Sequence, residues 1–161
     1  PARTRSEKRA GSEKHPTGGP RTVSDMTDIA LAYSPVTVDN VDAAIAFYRD
    51  ALGLELVNDV ASDGHRWVSL GFPGQPGLTL VLSDPGAGRS PEDGEALHRL
   101  IAKGSGPGPL VFTTDDVDAT FERIRATGAE VLQEPIAQPW GPRDCAFRDP
   151  SGNHIRINQR S

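Results

Sequence analysis

VTVDNVDAAIAFYR at Val36–Arg49 returns as FTTDDVDATFERIR at Phe112–Arg125, about 76 residues later. Thr37, Asp39, Val41, Asp42, Ala43 and Arg49 recur as Thr113, Asp115, Val117, Asp118, Ala119 and Arg125. After a one-residue slip, GLELV at Gly53–Val57 is answered by GAEVL at Gly128–Leu132. Two copies of this size are not a solenoid, which needs at least three repeats to bury its faces. They predict paired half-domains related by a pseudo-two-fold, with a cleft where the halves meet.

Working outward from the first copy, Tyr33–Val38 alternates as a strand with one face on a core. Asp39 or Asn40 can cap a helix whose Val41, Ala44, Ile45, Tyr48 and Leu52 recur at helical spacing, with Gly53 as its stop. Three short strands follow at about 54–60, 67–72 and 78–83, punctuated by Gly64 and by the Pro73–Gly77 stretch. The second copy predicts strands at about 110–114, 130–134, 144–148 and 154–158 with a helix from about Val117 to Thr127. Asp149–Asn153 reads as a strong turn. Between the copies, Ser90-Pro91-Glu92 resembles an N-cap with proline at N1, and Gly104 can end that helix. We read it as a linker that packs. The predicted class is therefore α+β: two tandem β-α-β-β-β modules forming a paired, cleft-enclosing mixed sheet. Module one spans about 29–84, the linker helix about 90–104 and module two about 108–159.

The first 25 residues carry Arg3, Arg5, Lys8, Arg9, Lys14 and Arg21 against Glu7, Glu13 and Asp25, with few apolar side chains. Such a stretch cannot offset its ordering entropy by burial, so residues 1–25 are expected to be a disordered basic extension. Met26 is the only methionine, and we read it as the native start with an upstream extension before it. A basic arm for nucleic acid or a membrane surface is the weaker reading of that stretch, since no aromatics interleave its cations. Residues 26–161, a single domain, hold 11 Lys and Arg against 19 Asp and Glu, a formal charge of −8. That disfavours polyanionic partners, so neither nucleic acid nor a membrane is expected. One cysteine, Cys145, allows no intramolecular disulfide, and no long apolar run is present, so the cytoplasm is the expected compartment.

The D-x-V-D-A-A-x-A-F-Y-R-D-x-L-G-L run from Asp39 to Leu54 resembles the vicinal oxygen chelate superfamily, and the resemblance covers residues 29–159. This superfamily includes glyoxalase I, extradiol dioxygenases, fosfomycin-inactivating enzymes and bleomycin-resistance proteins. The P-W-G of Pro139–Gly141 followed by R-D-P-x-G-N at Arg148–Asn153 is most similar to the bleomycin-resistance branch. Fold does not fix chemistry, so activity has to be argued from the site.

In the metal-dependent members, four strand residues hold a divalent ion. The resemblance places those positions at Tyr33, Thr79, Pro109 and Arg156. None is a customary ligand for Zn²⁺, Fe²⁺ or Mn²⁺, and Arg156 would put a permanent cation where the ion belongs. One-residue slips give only Ala, Ser, Gly, Leu and Ile. The expectation is a site with no metal and no cofactor.

Strand parity supplies the alternative. If Val36, Val38, Leu80, Leu82, Ile155 and Ile157 face the helices, then Tyr33, Thr37, Thr79, Val81, His154, Arg156 and Asn158 face the cleft. His154 alone among the histidines shares the parity of Arg156; His15 is in the tail, His65 at a turn or strand start and His98 on the linker helix. Trp67 has equal claim to cleft and core, with core filling preferred. Trp140 sits in a loop where it can stack on a flat ligand. The candidate ligand-binding set is therefore Tyr33, Trp67, Thr79, Trp140, His154 and Arg156, with no catalytic residue named. Arg156 has a competing role as partner of Asp144 or another acid, and His154 a competing role in proton transfer or as a plain strand residue. Cys145, within a strand and without a paired base, reads as buried.

The leading expectation is a metal-independent binder of a small organic ligand, an antibiotic or an aromatic metabolite, acting by sequestration. The acidic domain suits a cation while Arg156 suits an acceptor or anion. The resemblance implies a homodimer with its clefts between subunits. The alternatives are a lyase or isomerase, a metal enzyme with non-standard ligands, and a non-catalytic interaction protein.

Overall fold

A computed structural model describes residues 29–161. The predicted basic tail, Met26 and His15 lie outside the described residues. Each module opens with a strand and a capped helix and closes with a three-stranded meander. Module one contains β1 (Tyr33–Thr37), α1 (Val41–Ile45), β2 (Glu55–Ser62), β3 (His65–Gly71) and β4 (Thr79–Ser83). The linker helix α2 (Pro91–Ala102) leads to β5 (Leu110–Thr114), α3 (Val117–Arg125), β6 (Glu130–Ala137), β7 (Arg143–Arg148) and β8 (His154–Gln159). Two four-stranded mixed sheets result, ordered β1-β4-β3-β2 and β5-β8-β7-β6, with β1–β4 and β5–β8 parallel and the other pairs antiparallel.

The repeat is physical as well as textual. Asn40 and Asp116 each accept from the amide three residues on, Ala43 N and Ala119 N, both at 2.9 Å. Each helix then offers its repeated aspartate to an arginine at the start of the module's third strand. Arg66 Nη1 reaches Asp42 at 2.8 Å and Arg143 Nη2 reaches Asp118 at 2.7 Å. Ser90 caps α2 as its sequence predicts, accepting from Asp93 N.

One departure concerns α1. Its last turn widens into a π segment over Ala46–Ala51, in which Tyr48 is buried as the sequence stripe predicts and Phe47 and Ala51, not named in that stripe, are buried beside it. The core side of the sheets is as parity predicts: Val36, Val38, Leu80, Leu82, Ile155 and Ile157 are buried in one cluster with Val68, Leu70, Val117, Ile124 and Phe147.

The DPSGN turn does more than reverse the chain. Asp149, itself buried, accepts from Tyr48 Oη at 2.8 Å, Ser151 N at 3.0 Å, Asn153 N at 2.8 Å and Asn153 Nδ2 at 2.8 Å. Asn153 Nδ2 also donates to Thr37 O at 2.9 Å, and Ser151 Oγ bonds Asp39. The turn of module two thus holds the strand–helix junction of module one. Burial, then the charge of Asp149, raises the Tyr48 phenol well above its ordinary value.

Candidate functional site

Register decides which side chains share the faces turned away from the helices. In module one Tyr33 lies beside Thr79 and Gly71, and Pro35 beside Val81 and Ser69. Trp67, two residues from Ser69, shares that face. It is 36 % exposed, so it stands on the open face and not in the core that the sequence favoured. The reason is register: the buried residues of β3 are Val68 and Leu70, and Trp67 alternates with them. Tyr33 is 58 % exposed and Thr79 half-buried. His65 opens β3 as expected, with Nδ1 2.6 Å from Asp84 Oδ2.

In module two, His154, Arg156 and Asn158 share the open face of β8. Val111 is the register partner of Arg156 on one side and Ala146 on the other. Arg156 is not free. Its Nε lies 2.7 Å from Asp144 Oδ2, off the N–H direction, so this contact is one of charge and not an aligned hydrogen bond. Nη2 donates to Gln133 Oε1 at 3.0 Å. Gln133 Nε2 and Gln138 Nε2 in turn donate to Asp144 Oδ1 at 2.9 and 2.6 Å. The role of Arg156 as partner of Asp144 is thus realised. Asp144, Gln133 and Gln138 are the polar residues that sequence reasoning left out of the site. The alternation of β7 points to Asp144; nothing in the sequence points to the glutamines.

Gln138 opens the turn that carries Trp140, and Gly141 N closes it on Gln138 O at 3.3 Å. Trp140 is 76 % exposed on that loop. Burial first, then Arg156 and Arg148, lowers the His154 pKa, which keeps the imidazole neutral near pH 7. His154 Nε2 and Asn158 Oδ1, flanking Arg156 on the same face, are buried with no hydrogen-bond partner among the described residues.

The candidates therefore form two groups. Tyr33, Trp67 and Thr79 belong to the open face of module one; His154, Arg156 and, on its loop, Trp140 belong to module two. No hydrogen bond or ion pair joins the groups. The contacts that unite the modules run along the helix side instead, through Tyr48–Asp149, Phe72–Phe112 with ring centroids 6.1 Å apart, and Arg123 Nε to Ala51 O. A groove of about 550 Å³ also opens on that side, bounded by Leu54, Phe72, Leu80, Phe112, Arg123 and Arg160. Of the six candidates only Thr79 reaches it, and its floor continues the core packing, so we place the candidate site on the open sheet faces.

The four positions that the resemblance assigns to a metal do not fit one. Tyr33, Thr79 and Pro109 offer no customary donor set, and Arg156 is already paired with the nearest carboxylate. Among the described residues no three His, Cys, Asp or Glu side chains converge on a common point. Cys145 is fully buried, and burial, followed by the charge of Asp144, pushes its thiol up to about 11. Iodoacetamide at pH 8 is expected to alkylate it at least about two orders of magnitude more slowly than a free thiol, with the rate recovering in denaturant. Rapid labelling of the native protein would show that β7 opens and that Cys145 is reachable from the cleft.

The two mixed sheets and their helices agree with the fold of known relatives. The Glyoxalase/Bleomycin resistance protein/Dioxygenase superfamily profile matches residues 29–157, and the chain belongs to that superfamily. Among solved structures it resembles UcmS2, with a TM-score of 0.73, 33 % identity and coverage of 83 % of this chain and all of that one. It also resembles TnmS3, described as an antibiotic binding protein from Streptomyces sp. CB03234, with a TM-score of 0.65, 31 % identity and coverage of 84 % and 99 %. Lactoylglutathione lyase GLX1 of Arabidopsis thaliana is 29 % identical over 126 residues, 76 % of this chain. The chain spans 41 % of that enzyme's length. No described helix is long and apolar enough to cross a membrane.

Proposed function

We propose that this chain is a metal-independent, cytoplasmic binding protein for a small organic ligand, an antibiotic or an aromatic metabolite, that it sequesters unchanged. The observation that carries this reading is the replacement of a metal-ligand set by the Arg156–Asp144 pair, beside exposed aromatic side chains on open sheet faces. A binding face of that kind supplies stacking area with a few fixed polar groups, the usual recipe for a small organic ligand. The likeness to an antibiotic binding protein supports the same reading. A homodimer completes the cleft: the Tyr33–Trp67–Thr79 face of one copy, with both aromatic rings exposed in their own chain, meets the His154–Arg156 face of another, where Arg156 stays 26 % exposed.

Two measurements test this together. Protein purified without chelator is expected to hold well under one metal ion per chain, and its melting temperature to stay fixed on adding Mn²⁺, Zn²⁺, Ni²⁺ or Fe²⁺. Light scattering is expected to give twice the 17.2 kDa chain mass. About one tightly held ion per chain, or a large saturable shift with one metal, would overturn the metal-independent reading. A monomer would remove the composite cleft. The relatives named lactoylglutathione lyase favour a second reading, an enzyme acting on that thioester. Interconversion of S-lactoylglutathione with glutathione and methylglyoxal above the uncatalysed rate would establish it.

A further inference from the structure

The guanidinium of Arg156 looks in the sequence like a receptor for an anion. Its surroundings say otherwise. The Asp144 side chain is 4 % exposed and that of Arg156 26 % exposed, so the pair is largely withdrawn from water. Asp144 Oδ1 is held at 2.9 and 2.6 Å by the amides of Gln133 and Gln138, and the Gln133 carbonyl oxygen takes Arg156 Nη2 at 3.0 Å. Every member of this network fixes another. An incoming anion would have to draw Arg156 from a nearly buried carboxylate and leave that charge uncompensated, a loss that few ligand contacts offset. An anion that left the pair in place would meet a site with no net charge.

What Arg156 can still offer is chiefly the N–H groups of one nitrogen, Nη1. Nη1 has no hydrogen-bond partner among the described residues, whereas Nη2 is taken and Nε faces Asp144. The approach on the sheet is from the side of Val111, which is 55 % exposed, while Ala146 on the other side is buried. The loop bearing Trp140 begins at Gln138, whose amide is fixed to Asp144, so the aromatic platform is tied to the neutralised arginine.

Given the binding function proposed above, on which this rests, we infer that module two's face takes a flat, formally uncharged ligand through a carbonyl-type acceptor on Arg156, and that Asp144 is the residue that sets this charge preference. The opposed hints of the sequence, an acidic domain and a cleft arginine, are reconciled, because the arginine does not act as a net positive charge.

The test uses a matched pair of probes, 9-fluorenone and 9-fluorenone-2-carboxylate, which share one flat ring system and ketone and differ by one negative charge. Binding to the full chain is measured by equilibrium dialysis and by quenching of Trp67 and Trp140 fluorescence. The wild-type protein is expected to bind the ketone at least about tenfold more tightly than the carboxylate. Asp144→Asn, close to isosteric, removes the compensating charge and is expected to bring that ratio to about one or to reverse it, mainly by tightening the carboxylate. Arg156→Gln, tested in parallel, is expected to weaken the ketone by about tenfold without favouring the anion. Wild-type protein that binds the carboxylate as tightly as the ketone would overturn the inference and leave the binding function standing. So would an Asp144→Asn protein with an unchanged ratio. Failure of both probes to bind any of the proteins would overturn the binding function and this inference with it. If Asp144→Asn does not fold, the wild-type ratio and Arg156→Gln still decide.

Discussion

Asp149→Ala is expected to lower the unfolding free energy by about 3–5 kcal/mol, which for a domain of this size is roughly 10–20 °C in Tm. The carboxylate is buried, and it is the shared acceptor for four donors: the Tyr48 hydroxyl, two backbone amides and the Asn153 side chain. Alanine leaves the Tyr48 hydroxyl and two backbone amides without an acceptor at once, with only Asn153 Nδ2 keeping a second one in Thr37 O, and Tyr48 is too deeply buried to recruit water. Tyr48→Phe removes one donor of four and should cost about 1–2 kcal/mol. The two substitutions should couple, with the double variant costing less than the sum. There is also a pH signature. The phenol of folded Tyr48 is raised above its unfolded value, so the stability it contributes is present below pH 10 and lost as pH rises beyond it. Tyr48→Phe should flatten that alkaline loss. Denaturant titrations at pH 8 and pH 10.5 check both points. An Asp149→Ala protein within 1 kcal/mol of wild type would mean that the turn does not hold the modules together.

Much of this architecture could be read from the residues, because the signals were local. Asn40, Asp116 and Ser90 cap their helices, and apolar alternation in β4 and β8 placed the core face with Leu80, Leu82, Ile155 and Ile157. Trp67 was harder. Periodicity assigns a residue to one of two faces, but which face is covered depends on where the helix lands, and a bulky aromatic suits either side. The π segment was invisible for a related reason: it is a one-residue change in hydrogen-bond phase, and the buried Ala44, Phe47, Tyr48 and Ala51 keep the i, i+3, i+4, i+7 spacing of an ordinary helix. The environment of Arg156 needs contacts from β6, β7 and the Trp140 loop, and the Gln133 and Gln138 amides carry no sequence mark of their own.

The two modules keep what folding requires and differ where a ligand would sit. Both retain a helix capped by a short side-chain oxygen, Asn40 or Asp116, and the Arg66–Asp42 or Arg143–Asp118 pair that seats it. On the open faces the repeat lapses. By register, Trp67 and Val81 occupy the places that Asp144 and Arg156 hold in module two, so one face is aromatic and apolar and the other an ion pair. Two unlike faces built on like frames suit a cleft that stacks a ring on one wall and fixes its polar edge on the other.

Gly152→Ala should be among the most damaging small substitutions in the chain, and Gly104→Ala a mild one, although both residues have a left-handed backbone, with φ of 104° and 75°. Each substitution carries the strain of placing a Cβ there, about 1 kcal/mol. The difference lies in what the new methyl meets. At Gly152 it falls on the backbone carbonyl of Ile101 and within 3.4 Å of Ala102 Cα, in the last turn of α2. That turn cannot move without lifting the linker helix or opening the Asp149–Asn153 turn, so a loss of about 4 kcal/mol or a failure to fold is expected. At Gly104 the methyl falls on the guanidinium of Arg148, which is the far end of a flexible side chain. Swinging it aside sacrifices the 3.1 Å bond to Gly152 O and the 3.5 Å contact with Glu130, so the total should stay near 2 kcal/mol. Thermal melts of the two variants beside wild type decide the matter. Equal losses would show that backbone strain dominates both positions, and that α2 does not rest against the turn of module two as tightly as the Ile101 carbonyl implies.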